Sequence, residues 1–97
     1  MKITEAKFIK AFRKELESKG WLIFKINERF ARGFPDLICM KDEIVSFFEI
    51  KSDKNKLTKL QEYTLKKMKK NGALVKVIRF KSQLDKNEPI SWEEIEI

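Results

Sequence analysis

Three ionisable side chains, Asp36, Glu49 and Lys51, stand at a spacing that could support chemistry. Glu49 and Lys51 are two residues apart in the segment Ile44 to Lys51, which is rich in β-branched and aromatic residues and predicts a strand. Because side chains alternate between the two faces of a strand, these two project from the same face. The pattern therefore predicts an acid and a base acting together at one end of an apolar strand.

Asp36 belongs to a second apolar run, residues 36–40, which begins directly after a turn at residues 33–35. The short link of residues 41–43 predicts a hairpin that joins this strand to the next one. Asp36 at the start of one strand would then lie beside Glu49 near the end of the other. Two neighbouring carboxylates repel each other, and a hard cation such as Mg²⁺ or Mn²⁺ allows both to stay ionised.

A cation held by Asp36 and Glu49 would polarise a phosphoryl oxygen and activate a water molecule that attacks phosphorus. Lys51 would orient that water or offset the charge that builds up in the transition state. The chain has no histidine, which excludes serine–histidine triads, histidine-based nucleases and the usual ligand sets of zinc enzymes. Hydrolysis by this chain must therefore depend on carboxylates, and the pattern favours metal-dependent phosphodiester hydrolysis.

The patterns on either side predict the elements that position these residues. A helix from Glu5 to Lys19 is predicted, with Thr4 as its N-cap and Gly20 as its stop, because its apolar residues recur at helical spacing. Residues 90–97 fit either a short strand or a helix capped by Ser91. The other predicted elements are a strand from Trp21 to Ile26, a second helix from about Thr58 to Lys70, and a strand from Leu74 to Phe80 that pairs in parallel with an earlier strand.

Two residues fit both a structural and a functional interpretation. Glu5 extends the apolar stripe of the first helix by one turn, which suits a metal-site carboxylate, but it could instead complement the helix dipole and face water. Gln61 completes a capping box with Thr58. It also shares a helical stripe with Leu65 that turns it toward the core near Lys51. The two roles of Gln61 are compatible with each other.

Composition predicts one small basic domain over residues 1–97, with a thin core and 42% hydrophobic residues. Lysine and arginine number 22 against 15 acidic residues, and the net charge of +7 favours a polyanionic partner, with a merely well solvated basic surface as the alternative. Cys39, the one cysteine, lies in an apolar strand and is expected to be a core residue. Without a signal peptide or a membrane-spanning run, we expect a cytoplasmic protein that has no membrane partner and no organic cofactor.

Basic residues occur on both sides of the acidic pair in the sequence. The loop at residues 27–33 carries Arg29 and Arg32, whose guanidinium groups could contact phosphates beside the predicted metal, and Phe30, which could stack on a base. An ordinary connecting loop is the alternative interpretation. Three lysines after the acidic pair could bind along a phosphate backbone: Lys54, Lys56 and Lys59. A solvated helix face is the alternative interpretation.

Pro-Asp at residues 35–36 followed by Glu-Ile-Lys at 49–51 resembles the signature of the PD-(D/E)XK nuclease superfamily. With the stretches 32–38 and 57–61, it looks like the VRR-NUC branch, and the likeness covers about residues 5–80. The resemblance implies a restriction-endonuclease-like α/β fold, with an αβββαβ core and a central mixed β-sheet flanked by helices. It also implies Mg²⁺- or Mn²⁺-dependent hydrolysis of DNA. Small stand-alone members resemble Holliday-junction resolvases and often work as homodimers.

By matching position, the resemblance implies that Lys51 is the catalytic lysine and that Gln61 is the helix-two glutamine of the catalytic set. We therefore expect a metal-dependent DNA endonuclease that acts on branched DNA or Holliday junctions as a homodimer. A non-cleaving nucleic-acid-binding module of the same fold and an RNA-directed nuclease are the alternatives. The implied metal ligands are Glu5, Asp36, Glu49 and the main-chain carbonyl of Ile50.

Overall fold

The computed structural model describes residues 1–27 and 29–97, so Glu28 of the predicted loop at 27–33 lies outside the described residues. The predicted α/β class and the order of the first six elements are confirmed, and residues 92–95 form an additional strand rather than a helix. The elements are α1 (Glu5–Ser18), β1 (Leu22–Lys25), β2 (Leu37–Lys41), β3 (Ile44–Ser52), α2 (Lys59–Lys70), β4 (Leu74–Phe80) and β5 (Trp92–Ile95).

The five strands form one mixed sheet in the order β1-β2-β3-β4-β5. β3 and β4 pair in parallel, as the crossover through α2 requires, and the other neighbours pair antiparallel. The predicted hairpin between β2 and β3 is confirmed, and its turn is Asp42-Glu43. Both turn residues have positive φ, 51° and 67°, which is the backbone conformation of the tight two-residue turns that match strand twist.

The main hydrophobic core lies between α1 and one face of the sheet. Phe8, Ile9 and Phe12 of α1 are buried there, and the ring of Phe8 stacks on that of Phe80 with centroids 4.5 Å apart. Cys39 is fully buried in this core, and burial raises the pKa of its thiol to about 11, so the predicted core role is confirmed. The core thus fixes the sheet against α1 and holds the neighbouring ends of β2 and β3 in place.

The opposite face of the sheet is less completely covered. Leu65 of α2 is buried on this side of the fold, yet Leu22 and Phe24 of β1 and Val45 of β3 are each about half exposed. In the register Leu22 lies opposite Met40, which in turn lies opposite Val45, so these side chains share one face. We call the set of Leu22, Phe24 and Val45 the open apolar face.

Hydrogen-bonded caps begin both helices where the sequence predicts. The Thr4 hydroxyl accepts a hydrogen bond from the Lys7 N–H, and Thr58 and Gln61 form the complete capping box at the start of α2. Within the described part of the chain, no helix has the length and apolar character needed to span a membrane.

Candidate active site

The predicted acidic pair comes together at the junction between β2 and β3. The N–H of Asp36 donates to the carbonyl of Phe48 over 3.1 Å, and one carboxylate oxygen of Asp36 accepts from the N–H of Ile50 over 2.8 Å. Glu49, on β3, is only 3% exposed. Its carboxyl group and that of Asp36 line the same cavity. The hairpin therefore places the two acids side by side.

Burial and mutual repulsion disfavour the fully ionised pair. Burial raises the pKa of Asp36, and hydrogen bonding from the Ile50 N–H opposes that shift. The pKa of Glu49 rises to about 8 because the group is buried, because the charge of Asp36 lies beside it and, to a lesser extent, because of the charge of Glu5. Without a cation, the pair therefore retains a proton near neutral pH.

Lys51 shares a cavity of about 270 Å³ with the acidic pair. It lies two residues beyond Glu49 on the same face of β3, as the strand pattern predicts, and it is half-buried. Burial raises the pKa of both Asp36 and Glu49, and the positive charge of Lys51 opposes that rise. The cavity is large enough to admit a phosphoryl group and has an acid pair and an ammonium group on its walls.

Gln61 makes contacts that fit both of the roles that the sequence left open. The amide oxygen of Gln61 accepts from the Thr58 N–H over 2.9 Å, and the N–H of Gln61 donates to the Thr58 hydroxyl over 3.1 Å. The amide nitrogen of the same side chain donates to a carboxylate oxygen of Glu49 over 3.2 Å. The start of α2 therefore fixes the orientation of the buried acid.

Glu5 lines the same cavity from the first turn of α1, although its side chain is largely exposed. Glu5 thus lies both in the first turn of the helix and beside the acidic pair, as the two interpretations of the sequence predict. Among residues 1–27 and 29–97, however, no three His, Cys, Asp or Glu side chains form a group positioned to hold a metal ion. Two carboxylates, of Asp36 and Glu49, form the centre of any cation site here.

The main chain of Ile50 supplies a further oxygen on the same side. In a strand, the N–H and the C=O of one residue point toward the same neighbouring strand. Because the Ile50 N–H reaches the carboxylate of Asp36, the Ile50 carbonyl also points to that side, beyond the end of β2. The donor set is therefore made of hard oxygen atoms alone, which fits Mg²⁺ or Mn²⁺ and does not fit a soft metal.

Gly33 allows the loop that precedes Asp36 to lie directly on α2. Its φ is +78°, and a Cβ atom at this position would lie 2.7 Å from the Thr64 hydroxyl and 3.1 Å from the Leu60 carbonyl. Pro35, the residue directly before Asp36, is buried. The contact fixes the loop against the same helix that carries Gln61, so both supports of the acidic pair are held by α2.

The predicted nucleic-acid-binding residues divide into two groups. Arg29 lines a second cavity beside the site, and Lys54 lines a third one. Lys25 lines the second cavity and Lys2 lines the third. Neither lysine belongs to a local motif, so neither could be predicted from the sequence. The predicted residues that are exposed outside all three cavities are Arg32, Lys56 and Lys59.

Two solved structures share this fold. A VRR_NUC domain has a TM-score of 0.67 and 27% sequence identity, and the match covers 75% of this chain and 81% of that one. Hjc, a Holliday junction resolvase from the archaeal hyperthermophile Archaeoglobus fulgidus, has a TM-score of 0.62 and 16% identity, with coverage of 91% and 73%. No family model and no curated protein matches the sequence. The similarity to both structures confirms the restriction-endonuclease-like α/β fold predicted from the sequence.

Proposed function

We propose that this chain, which has the fold of a VRR_NUC domain and of a Holliday junction resolvase, is a metal-dependent DNA endonuclease. The observation that carries the proposal is the proximity of the carboxyls of Asp36 and Glu49, of which Glu49 is buried and Asp36 partly exposed, with Lys51 lining the same cavity. A module that only binds nucleic acid gains nothing from two acids that repel each other and the phosphate backbone. A hydrolase that recruits a divalent cation needs that arrangement.

Asp36, Glu49 and the Ile50 carbonyl would hold Mg²⁺ or Mn²⁺, with Glu5 on the wall of the same cavity. Such a cation supplies Lewis-acid stabilisation of phosphoryl charge and lowers the pKa of water in the cavity. The protein groups around it keep the two carboxylates oriented. The Ile50 N–H holds Asp36, and the Gln61 amide holds Glu49.

Lys51 lines the same cavity as the acidic pair. Its ammonium group would orient the attacking water by hydrogen bonding and offset the negative charge that accumulates on the phosphoryl oxygens in the transition state. Gln61 is a positioning residue, because it contacts Glu49 rather than the cavity centre. The proposed nucleic-acid contacts outside this centre are Arg29, Arg32, Lys54, Lys56 and Lys59.

Cleavage assays on labelled substrates test this function. A four-way DNA junction, a flap, a linear duplex, a single strand and matched RNA strands are incubated with Mg²⁺, Mn²⁺ or EDTA. We expect cutting of DNA with either metal, none with EDTA, and faster cutting of the branched substrates. Metal-independent binding without any cutting would instead identify a non-cleaving module, and cutting of the RNA strands alone would identify an RNA-directed nuclease.

The proposed active form is a homodimer. One catalytic site cuts one strand, so symmetrical cutting of a junction needs two sites, and the open apolar face offers a surface that a second copy could cover. We expect light scattering after size exclusion to give the dimer mass for the unmodified protein and the monomer mass for Phe24→Lys. Leu74→Lys is the control, because Leu74 has the same 52% exposure as Phe24 but pairs with Ser46 on the opposite face. A monomer mass for the unmodified protein would contradict the dimer.

A further inference from the structure

The cavity that holds the acidic pair is the middle part of a longer groove. On one side, the cavity lined by Lys25 and Arg29 shares Ile26 and Asn27 with it, and has a volume of about 330 Å³. On another side, a cavity of about 410 Å³ shares Glu5 and Lys51 with it. The two outer cavities have no lining residue in common, so they adjoin the centre at different walls.

Charge changes sign along this groove. Three acids, Glu5, Asp36 and Glu49, line the centre together with Lys51, whereas the charged residues that line one flank, among those that the structure describes, are the cations Lys25 and Arg29. The other flank is lined by Lys2, Lys51 and Lys54 together with Glu5. A polyanion that crosses the centre would therefore meet cations on each side of the acidic pair.

Lys2 is held in position although it is near the start of the chain. Its backbone forms an antiparallel bridge with Gln83, and the N–H of the next residue, Ile3, donates to the Ser82 carbonyl over 2.7 Å. The Ile3 side chain is buried in the main core. The ammonium group of Lys2 therefore starts from a fixed backbone at the edge of its cavity.

Lys25 is fixed by the sheet on the other flank. It is the last residue of β1 and lies opposite Leu37, the residue that follows Asp36. Burial raises the pKa of Asp36, and the charge of Lys25 is one of the weaker influences that oppose this rise. Within residues 1–27 and 29–97, neither Lys2 nor Lys25 forms a salt bridge with a carboxylate.

From this arrangement we infer that Lys2 and Lys25 bind the phosphodiester backbone of one DNA strand on opposite sides of the phosphate that is cut. The inference rests on the proposed function for the position of the cut and extends it by naming two binding residues and the path of the strand. Phosphate contacts of this kind fix the register of a substrate without reading its sequence. The two lysines thus position the scissile phosphate over the acidic pair.

Binding measurements with charge-removing variants test the groove. In EDTA, fluorescence anisotropy gives the Kd of the unmodified protein, Lys2→Gln, Lys25→Gln and Lys10→Gln for a labelled DNA strand at several salt concentrations. We expect each groove variant to weaken binding about 3–10-fold and to reduce the salt slope by about 0.7–0.9. Lys10→Gln removes the same charge from an exposed position of α1 outside the three cavities, and should change neither. Equal effects in all three variants would overturn the inference.

Neutral backbone linkages locate the two contacts. Single methylphosphonates are placed on either side of the cleaved bond, and Kd is measured for each variant on each strand. We expect Lys2→Gln to leave Kd unchanged on a strand whose methylphosphonate lies on one side of the cleaved bond. Lys25→Gln should leave Kd unchanged on a strand whose methylphosphonate lies on the other side. If both variants respond to the same flank, the proposed path is wrong.

The outcomes separate the groove from the catalytic proposal. Lysine-dependent binding with no metal-dependent cutting would retain the groove and reject the nuclease. In the opposite outcome, the protein cuts DNA in the presence of metal, but Lys2→Gln and Lys25→Gln bind DNA as tightly as Lys10→Gln. That result would retain the nuclease and reject the groove. Circular dichroism and Tm confirm that each variant is folded before its Kd is compared.

Discussion

Lys51→Met is expected to lower kcat for DNA cleavage by about 10²–10⁴-fold while leaving Kd for DNA within about 3-fold of the unmodified protein. The methionine side chain fills similar space but cannot donate a hydrogen bond or offset phosphoryl charge.

Glu49→Gln, which removes one carboxylate from the acidic pair, is expected to lower kcat by at least as much. Single-turnover cleavage at saturating enzyme measures the chemical step directly.

A matched control separates catalysis from a general effect of charge. Lys10→Met makes the same substitution at an exposed position of α1 that lines none of the three cavities. It should cleave at the rate of the unmodified protein. A catalytic group of this kind contributes about 10²–10⁴-fold to the rate. If Lys51→Met retained more than about one tenth of the cleavage rate, the assigned role of Lys51 would therefore be rejected.

Glu49→Gln should also stabilise the metal-free protein at alkaline pH. The pKa of Glu49 is about 8 in the folded chain against an ordinary value of 4.5, so the folded state holds a proton that the unfolded state releases between these values. The free energy of unfolding of the unmodified protein therefore falls as pH rises through this window, and the loss is complete above pH 8. We expect the variant to gain on the order of 3 kcal/mol, or roughly 10–20 °C in Tm, relative to the unmodified protein at high pH.

Thermal unfolding in EDTA across this pH range measures the effect. Below the ordinary pKa of a glutamate the two proteins should have similar Tm values, and the difference should grow toward high pH. Mg²⁺ should then raise the Tm of the unmodified protein and have little effect on the variant. Glu96→Gln is the control, because its side chain is 98% exposed and its removal should leave the pH profile unchanged. A difference in Tm that does not change with pH would show that folding does not raise the pKa of Glu49.

Local signals in the sequence predicted the helices and the central hairpin closely. The start of α1 and the capping box of α2 depend on side chains within three residues of each other, so Thr4 and Thr58 mark those starts directly. β4 has the predicted bounds, Leu74–Phe80. The strand at Trp92–Ile95 was left open because it exists through pairing with β4, and its own four residues carry little pattern.

The acidic pair was predictable for a similar reason, whereas the rest of the groove was not. Asp36 and Glu49 are joined by one hairpin, so strand alternation and a two-residue turn are enough to bring them together. Lys2 reaches its place through a bridge to Gln83, near the other end of the chain. Lys25 lies near Asp36 only because β1 pairs with β2. Contacts of this range depend on the complete fold, which no short motif encodes.

The amide of Gln61 has a consequence for cooperativity. Its oxygen closes the first turn of α2 while its nitrogen holds Glu49, so fraying of that turn would release the buried acid at the same time. A glutamate at this position could still cap the helix but would bring another negative charge to the pair, and a methionine could do neither. Local melting at the helix start and loss of order at the reactive centre are therefore a single event in this chain.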